Sequence, residues 1–506
     1  MEEEGIKKHN EAVAAIAEKI KKFFADGIQF RVYHGDTNKA HLATRKADPT
    51  IDMSRLNQII AIDKDRRVAL VQPNVTMDAF VTATLKHGLL PQVVPEFPGI
   101  TVGGSFSGTA AESSSFKFGY FDQSVNWAEF ILANGDVVKA SANDNADLFY
   151  GAAGACDTLG IGTLLEIKLI DACRFVEVRY LPVHSMAEAL AKIKEYTDNI
   201  SFVNFVDAII FGPTSGAVII GTLTDEAKPG IPIVRFTRRQ DPWYYLHVHG
   251  SVAHARHTCC DTCSYSSPRS AYEKGIVTNL VPVVDYLFRY NRGAFWMGIY
   301  GQKPVFFNKS SYYIMNPLMQ TRVTNSIIHH NNKSQAFIVQ DLAIPQQSAE
   351  DFLTWSNDKL HVYPLWLCPI KATTNAPLHI ANRPADTKTI INIGLWGLKT
   401  SNWPFFQRTF GHAAFERFID DNRAIEAKVR ELGGLKWLYA HNYSTEDEFW
   451  SVYNKEEYDQ LRKKWGASGL PSLWDKTNNA EGNYMEKESF WKTVVLTMLG
   501  RGHVVN

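Results

Sequence analysis

Several things are scarce in this 506-residue chain, and each scarcity removes a class of function. Its six cysteines, Cys156, Cys173, Cys259, Cys260, Cys263 and Cys368, are too few for a disulfide framework of the kind that staples small secreted domains. They read as reduced thiols. No apolar run reaches the roughly 18 to 20 residues that cross a bilayer. Charges, glycines or prolines interrupt even LLEIKLIDA and VVLTMLG, so no transmembrane segment is expected. An excess of one charge is missing as well: Lys plus Arg and Asp plus Glu both number 53. No overall field therefore gathers phosphate polymers, which argues against nucleic acid as a partner. The opening MEEEGIKKHN is charged where a secretory signal would be apolar, so the start reads as that of a cytoplasmic chain. Two phosphate-binding fingerprints, GxGxxG and GxxxxGK(S/T), are also absent.

What is present is bulk. At 45% hydrophobic and 12% aromatic content, a chain of this length exceeds what a single core holds, and two or three packed units are expected. After an amphipathic helix around AVAAIAEKIKKFF come short β-branched segments, IQFRVYH, TIDMSRLNQIIAID and RVALVQPNV, then a helix MDAFVTATLKHG that stops at Gly88. WAEFILANGDVVKAS reads as a hairpin turning at Asn134-Gly135. NADLFYGAAGACDTLGIGTLLEIKLI reads as helix, glycine turn and strand. The texture changes near residue 175 and again near 432, where a Gly-Gly stop leads into a helical tail. The fold class predicted is α+β, with units at 1–175, 176–431 and 432–506.

Residues 95–121, PEFPGITVGGSFSGTAAESSSFKFGYF, hold five glycines with serines and threonines between them. Glycine lets backbone N–H groups approach a ligand closely, and grouped N–H and hydroxyl donors suit a pyrophosphate. Thr101, Val102, Gly103, Gly104, Gly108, Thr109, Glu112, Ser113, Ser114 and Gly119 are therefore candidate cofactor contacts. A second donor-rich turn follows a strand at His34, Gly35, Asp36, Thr37 and Asn38, so that two loops are placed to grip one diphosphate. His254, His257, Cys259, Cys260 and Cys263 form H-x2-H-x-C-C-x2-C, a set with enough ligands for zinc. The ligands are crowded without a spacer between two pairs, so a reduced loop is preferred and no metal is predicted.

The order of YHGDTN, IDMSRLNQI, TVGG, NGDVV and DLFYGAAGACDTLGIGT resembles the vanillyl-alcohol-oxidase type flavoproteins, which have a PCMH-type FAD-binding domain. DPWYYLHV, FIVQDLAIP, HVYPLWLCP and GGLKWLYA are similar to segments of the delta-24 sterol reductase (Diminuto-like) branch. The resemblance implies a two-subdomain FAD-binding domain, an α+β cap holding the substrate, and a C-terminal segment returning to the FAD domain. It implies non-covalent FAD, because Asn38 stands where covalent relatives place a histidine, with NADPH as electron donor. It adds Ile161 and Gly162 to the cofactor contacts. It also makes Tyr439 the leading proton-supplying residue, with His441 and Tyr443 beside it. If 437–443 were a strand, these three would share a face. The branch carries Asp where His441 stands, and it often carries an N-terminal membrane anchor where this chain opens on a charged helix. The implied substrate is a small apolar molecule, sterol-like or prenylated, reduced at a carbon–carbon double bond by hydride from flavin N5 plus protonation. A soluble substrate, or peripheral contact with the endoplasmic reticulum membrane, would fit the missing anchor. An oxidase or dehydrogenase of an alcohol or amine, with His441 as base, and a catalytically silent flavin-binding protein are the alternatives.

Overall fold

Apolar residues fall on one face of the first helix, α1 (Glu2–Ala25), and that face buries His9, Val13, Ala17 and Ile20. Three glutamates in its first turn suit the positive end of the helix dipole. The computed structural model describes residues 2–35, 49–199, 203–256, 271–273, 275–293, 295–296, 313, 316–323, 338–373, 378–380, 387–397, 412–440 and 442–478. Strands β1 (Arg31–Tyr33) and β2 (Thr50–Asp52) pair in parallel beside α1.

A first antiparallel sheet follows, built from β3 (Ile59–Asp63), β4 (Val68–Val71), β5 (Leu89–Pro91), β6 (Val125–Ile131), β7 (Val137–Ser141) and β8 (Ile161–Asp171). Its order is β3-β4-β8-β6-β7, with β5 paired to β8. The β6–β7 hairpin turns where Asn134-Gly135 predicts, Gly135 standing at φ 85°. Helices α2 (Met77–Leu85), α3 (Val102–Ser107), α4 (Ser115–Phe118) and α5 (Ala146–Ala152) complete this part.

The second sheet is larger. Its nine strands are β9 (Phe175–Val183), β10 (Phe205–Gly212), β11 (Ser215–Thr224), β12 (Ala271–Glu273), β13 (Ile276–Pro282), β14 (Ile338–Pro345), β15 (Leu365–Lys371), β16 (Thr389–Gly397) and β17 (Leu435–Lys436). They are antiparallel in the order β12-β13-β9-β11-β10-β15-β16-β14-β17. Side chains alternate across a strand, so each strand feeds two cores. Ala208 and Ile210 of β10, Leu342 and Ile344 of β14, and Ile391 and Ile393 of β16 join a core with Ile193 of α6 (Met186–Asp198), Phe352 and Ile425. Ile209, Ala343, Trp366, Cys368 and Ile390 face the opposite way, into the core that holds Val93, Phe97 and Phe106 of the first part. The same face carries Asp207, Asp341 and Trp396.

The first part is covered from the C-terminal side. The Tyr458 hydroxyl donates to Thr158 Oγ1 at 2.9 Å, Arg462 donates to the Thr158 carbonyl at 2.7 Å, and Lys464 meets Asp147 at 2.6 Å. The C-terminal segment thus packs back on the first part, as the resemblance implies. Among the described residues no helix is long and apolar enough to cross a membrane.

Two local readings need correction. The strand expected over 437–443 ends at Lys436, and Leu438 to Ala440 form a turn closed from the Ala440 N–H to the Trp437 carbonyl. His254 of the His/Cys cluster falls in helix α7 (Tyr244–Arg256) rather than in a loop. His257, Cys259, Cys260 and Cys263 lie outside the described residues.

Candidate active site at the seam of the two sheets

The first loop begins where β1 ends. Gly35 stands at φ 84°, a conformation that favours glycine. His34 Nε2 lies 3.1 Å from Asp157 Oδ2, and Lys476 is 3.3 Å from the same oxygen. Burial pushes the Asp157 carboxyl up, but Lys476 and His34 outweigh it and hold the group well below the usual carboxylate range. The ion cluster pins the loop to the turn before β8 and to the C-terminal segment. Asp36, Thr37 and Asn38 lie outside the described residues. Ile161, at the start of β8, shares a small core with Phe30, Ile51 and Met53, so the first loop and β8 rest on common support. Next to it, a Cβ added to Gly162 would meet nothing within 4 Å, leaving room for a flat group along the strand.

The glycine-rich segment is arranged differently from the expected row of free donors. Thr101 caps α3, its hydroxyl accepting the Gly104 N–H at 3.2 Å. The Val102 N–H donates to the Val75 carbonyl at 2.9 Å and that of Gly103 to Pro73 at 2.8 Å. The donors of residues 102 to 104 are therefore satisfied inside the protein. Gly103 is small for another reason: a Cβ there would stand 2.5 Å from Pro73 Cβ. Gly108 ends the helix, and a Cβ there would meet the Gly104 carbonyl at 2.8 Å. Gly119, at φ 79°, closes α4.

From Thr109 onward the segment forms the seam itself. The Trp437 indole N–H donates to the Thr109 carbonyl at 2.9 Å, and the Val206 N–H of β10 donates to the Ser113 carbonyl at 2.8 Å. Ser114 Oγ donates to the Gln92 carbonyl at 2.7 Å and Ser113 Oγ to Glu112 at 2.7 Å. Across the seam, Arg289 Nη2 donates to Ser113 Oγ at 3.2 Å and to Asp207 Oδ2 at 2.9 Å. The same Asp207 oxygen accepts the Tyr290 hydroxyl at 2.9 Å and the Trp366 indole N–H at 3.0 Å. The guanidinium lies over the ring of Tyr286 at 4.1 Å and that of Tyr290 at 4.7 Å. Burial works against the Arg289 charge, yet Tyr286 and Asp207 hold its pKa well above the ordinary value.

Two more carboxyls share this buried region. Burial raises Glu96 well above the usual range, reinforced by neighbouring Glu112, and burial raises Glu112 too. Glu96 Oε1 is buried with no hydrogen-bond partner among the described residues. A carboxyl held neutral donates a hydrogen bond as well as accepting one, which suits it to a ring with both kinds of edge.

Tyr439 stands beyond, on the turn after β17. Its hydroxyl donates to Asp341 Oδ2 of β14, which also accepts the Trp396 indole N–H at 3.2 Å. Burial raises the Asp341 carboxyl to about 6, although the bonds from Tyr439 and Trp396 and the nearby Asn392 side chain favour its ionised form. Tyr439 is 36% exposed as a whole, but burial around its hydroxyl end and the Asp341 charge push the phenol well above its ordinary value. The Trp396 ring contacts Phe97 and Phe295 at centroid distances of 5.9 and 5.1 Å, so the pair opens onto an aromatic wall. Tyr443 goes elsewhere: its ring packs edge-on to Phe418 at 5.9 Å and its N–H donates to Glu426 at 3.0 Å. The turn at 438–440 thus separates two residues that a continuous strand would have aligned. His441 lies outside the described residues.

Asp207, Arg289, Asp341 and Glu96 escaped the sequence reading. For the first three the signal was a lone charged residue within an apolar run: FVDAII, YLFRY and IVQDLAIP each contain one. Such a residue must find a partner when its strand is buried on both faces.

Residues 8–141 match the family described as FAD binding domain. The chain is 27% identical over 430 residues to the Delta(24)-sterol reductase of Homo sapiens, covering 84% of this chain and 77% of that protein. It is 27% identical over 469 residues to the Delta(24)-sterol reductase of Arabidopsis thaliana, with 87% and 78% covered. Similarity to Cytokinin dehydrogenase 4 of Oryza sativa subsp. japonica is 34% over 113 residues, 22% of this chain and 21% of that one.

Proposed function

Starting from a chain that is a FAD-dependent oxidoreductase with a PCMH-type FAD-binding domain and sterol reductase-like similarity, we propose that it reduces a carbon–carbon double bond in an apolar, sterol-like or prenylated molecule, with NADPH as the source of electrons. FAD, when bound, supplies hydride chemistry. Residues 1–175 are assigned to holding it without a covalent link, 176–431 to the substrate side, and 432–506 to sealing the first part. Gly35, Ile161 and Gly162, with Glu112, Ser113 and Ser114 at the seam, are its assigned contacts, together with Asp36, Thr37 and Asn38 of the first loop. The donors of residues 102 to 104 have internal partners, so Thr101, Gly103, Gly104 and Gly108 are assigned to the scaffold of the site.

The observation that carries the reading is the Tyr439 hydroxyl, held by a buried carboxylate beside an aromatic wall. An isolated alkene has no group to stabilise charge after hydride arrives, so the proton must come from an acid held close in a dry pocket. The similarity to Delta(24)-sterol reductases along 84% of the chain supports the same substrate class.

Anaerobic mixing with NADPH tests the direction of electron flow. Bleaching of the flavin band, and its return on adding a prenylated or sterol substrate, is the expected result. Indifference to NADPH with peroxide released on adding an alcohol or amine would replace this reading with an oxidase. Tyr439→Phe is expected to keep its yellow FAD and lose turnover; undiminished turnover removes Tyr439 from the acid role.

A further inference from the structure

We infer that Asp341 and Tyr439 act as a single proton-holding dyad, in which the ionisation of Asp341 decides whether the Tyr439 hydroxyl gives up a proton or withholds it. The inference rests on the reading of Tyr439 as proton donor and adds to it a positioning residue that does not itself meet the substrate.

The geometry is one-sided. Oδ2 of Asp341 accepts from both Tyr439 and Trp396, while Oδ1 is buried with no hydrogen-bond partner among the described residues. Asn392 Oδ1, on the adjoining strand, is likewise buried without a partner among the described residues, and the two side chains lie on the same face as diagonal neighbours across β14 and β16. Gly394, which pairs with Asp341 in the sheet, would crowd Oδ1 if it carried a side chain: a Cβ there would stand 3.0 Å away. The sheet thus reserves space at this oxygen, enough for a carboxyl proton. Charged groups around the dyad are few. On β17, Lys436 is paired with Glu426 at 2.6 Å. From the first part Glu96 faces Tyr439, and burial favours its neutral form. On β16 the facing groups, Asn392 and Trp396, are neutral. Among the described residues none supplies a fixed positive charge to hold Asp341 ionised.

The consequence is a switch in proton supply. With Asp341 protonated, Tyr439 passes its proton to the substrate carbon. Oδ2, which faces the new phenolate, can return a proton only after the carboxyl rotates its proton there from Oδ1; the phenolate then takes it and the carboxylate is refilled from water. With Asp341 ionised, the phenol would have to leave a second negative charge beside the first, which like-charge repulsion resists. Since burial brings Asp341 to about 6, the change falls near neutral pH.

Infrared difference spectra of the purified flavoprotein across a pH series test the dyad directly. A protonated-carboxyl band should disappear with a midpoint near 6, be absent in Asp341→Asn, and titrate at higher pH in Tyr439→Phe, which loses a bond that favours the ionised form. Turnover should fall about tenfold per pH unit above that midpoint. In Asp341→Asn it should be flat through the same range. A wild-type spectrum with no band that Asp341→Asn removes overturns the dyad, and so does an Asp341→Asn profile that keeps the wild-type slope. Tyr439→Phe leaves the carboxyl in place, so the spectroscopic test survives if the asparagine variant does not fold. If no alkene is reduced by any form, the functional reading fails while the carboxyl titration still decides the dyad.

Discussion

The Arg289–Asp207 pair is the contact whose removal should hurt the fold most. Arg289 and Asp207 are 1% and 0% exposed, 2.9 Å apart, and joined by Tyr290, Trp366 and Ser113 into one network that ties β10 to the glycine-rich segment. Arg289→Met keeps the volume but strands a buried carboxylate on two neutral donors. Breaking a buried pair in this way costs about 3 to 5 kcal/mol, because the remaining charge is uncompensated. With an unfolding entropy on the order of 1 kcal/mol per kelvin for a chain this long, the melting midpoint should drop by about 3 to 5 °C. Asp207→Asn should also destabilise, by leaving the guanidinium without its counter-charge. The double variant, with both charges gone, should recover part of the loss. Differential scanning calorimetry on all four proteins closes the cycle. A double variant that loses the simple sum of the two singles would mean that the charges act independently, and would refute the account of the seam as a coupled network.

Two further expectations follow from the same region. Gly103→Ala should cost about 1 to 3 kcal/mol by overpacking against Pro73. Gly162→Ala meets open space and should leave the melting point of flavin-free protein unchanged while weakening flavin binding about tenfold or more. Equal flavin affinity in Gly162→Ala and wild type would remove that strand position from the cofactor surface. Asp341 makes a prediction about stability as well as turnover. Its folded pKa of about 6 lies above the value of 3.8 expected when unfolded, so the folded state holds the proton more tightly. The stabilisation present at low pH is therefore lost as pH rises from about 4 through 6, and amounts to about 3 kcal/mol. Denaturant titrations of wild type and Asp341→Asn should diverge across that window in favour of the variant, and parallel curves would contradict the burial of this carboxyl.

Much of the first part was legible because its signals are local. The Asn134-Gly135 turn, the helix stop at Gly88 and the alternating strands depend on neighbours in sequence, and they stand where expected. The glycine-rich segment was legible as special but not in its reason. Gly103 is small because Pro73, thirty residues away, packs on its backbone, and no pattern within the segment reports that contact. The face shared by Tyr439 and Tyr443 failed for a similar cause. β17 is only two residues long, and the chain turns as soon as the Trp437 indole is fixed to Thr109. Aromatic-rich YLFRY packs into the core. What the pattern concealed is that its arginine enters that core because Asp207, from a strand eighty residues earlier, waits there.

The central claim, that the seam between the two sheets holds a flavin nucleotide by non-covalent contacts, is tested most directly by the colour of the purified protein. It should be yellow, and heat or acid should release FAD into the supernatant in equal amount to the chain. Protein that comes off the column colourless and takes up no flavin from an excess would contradict it.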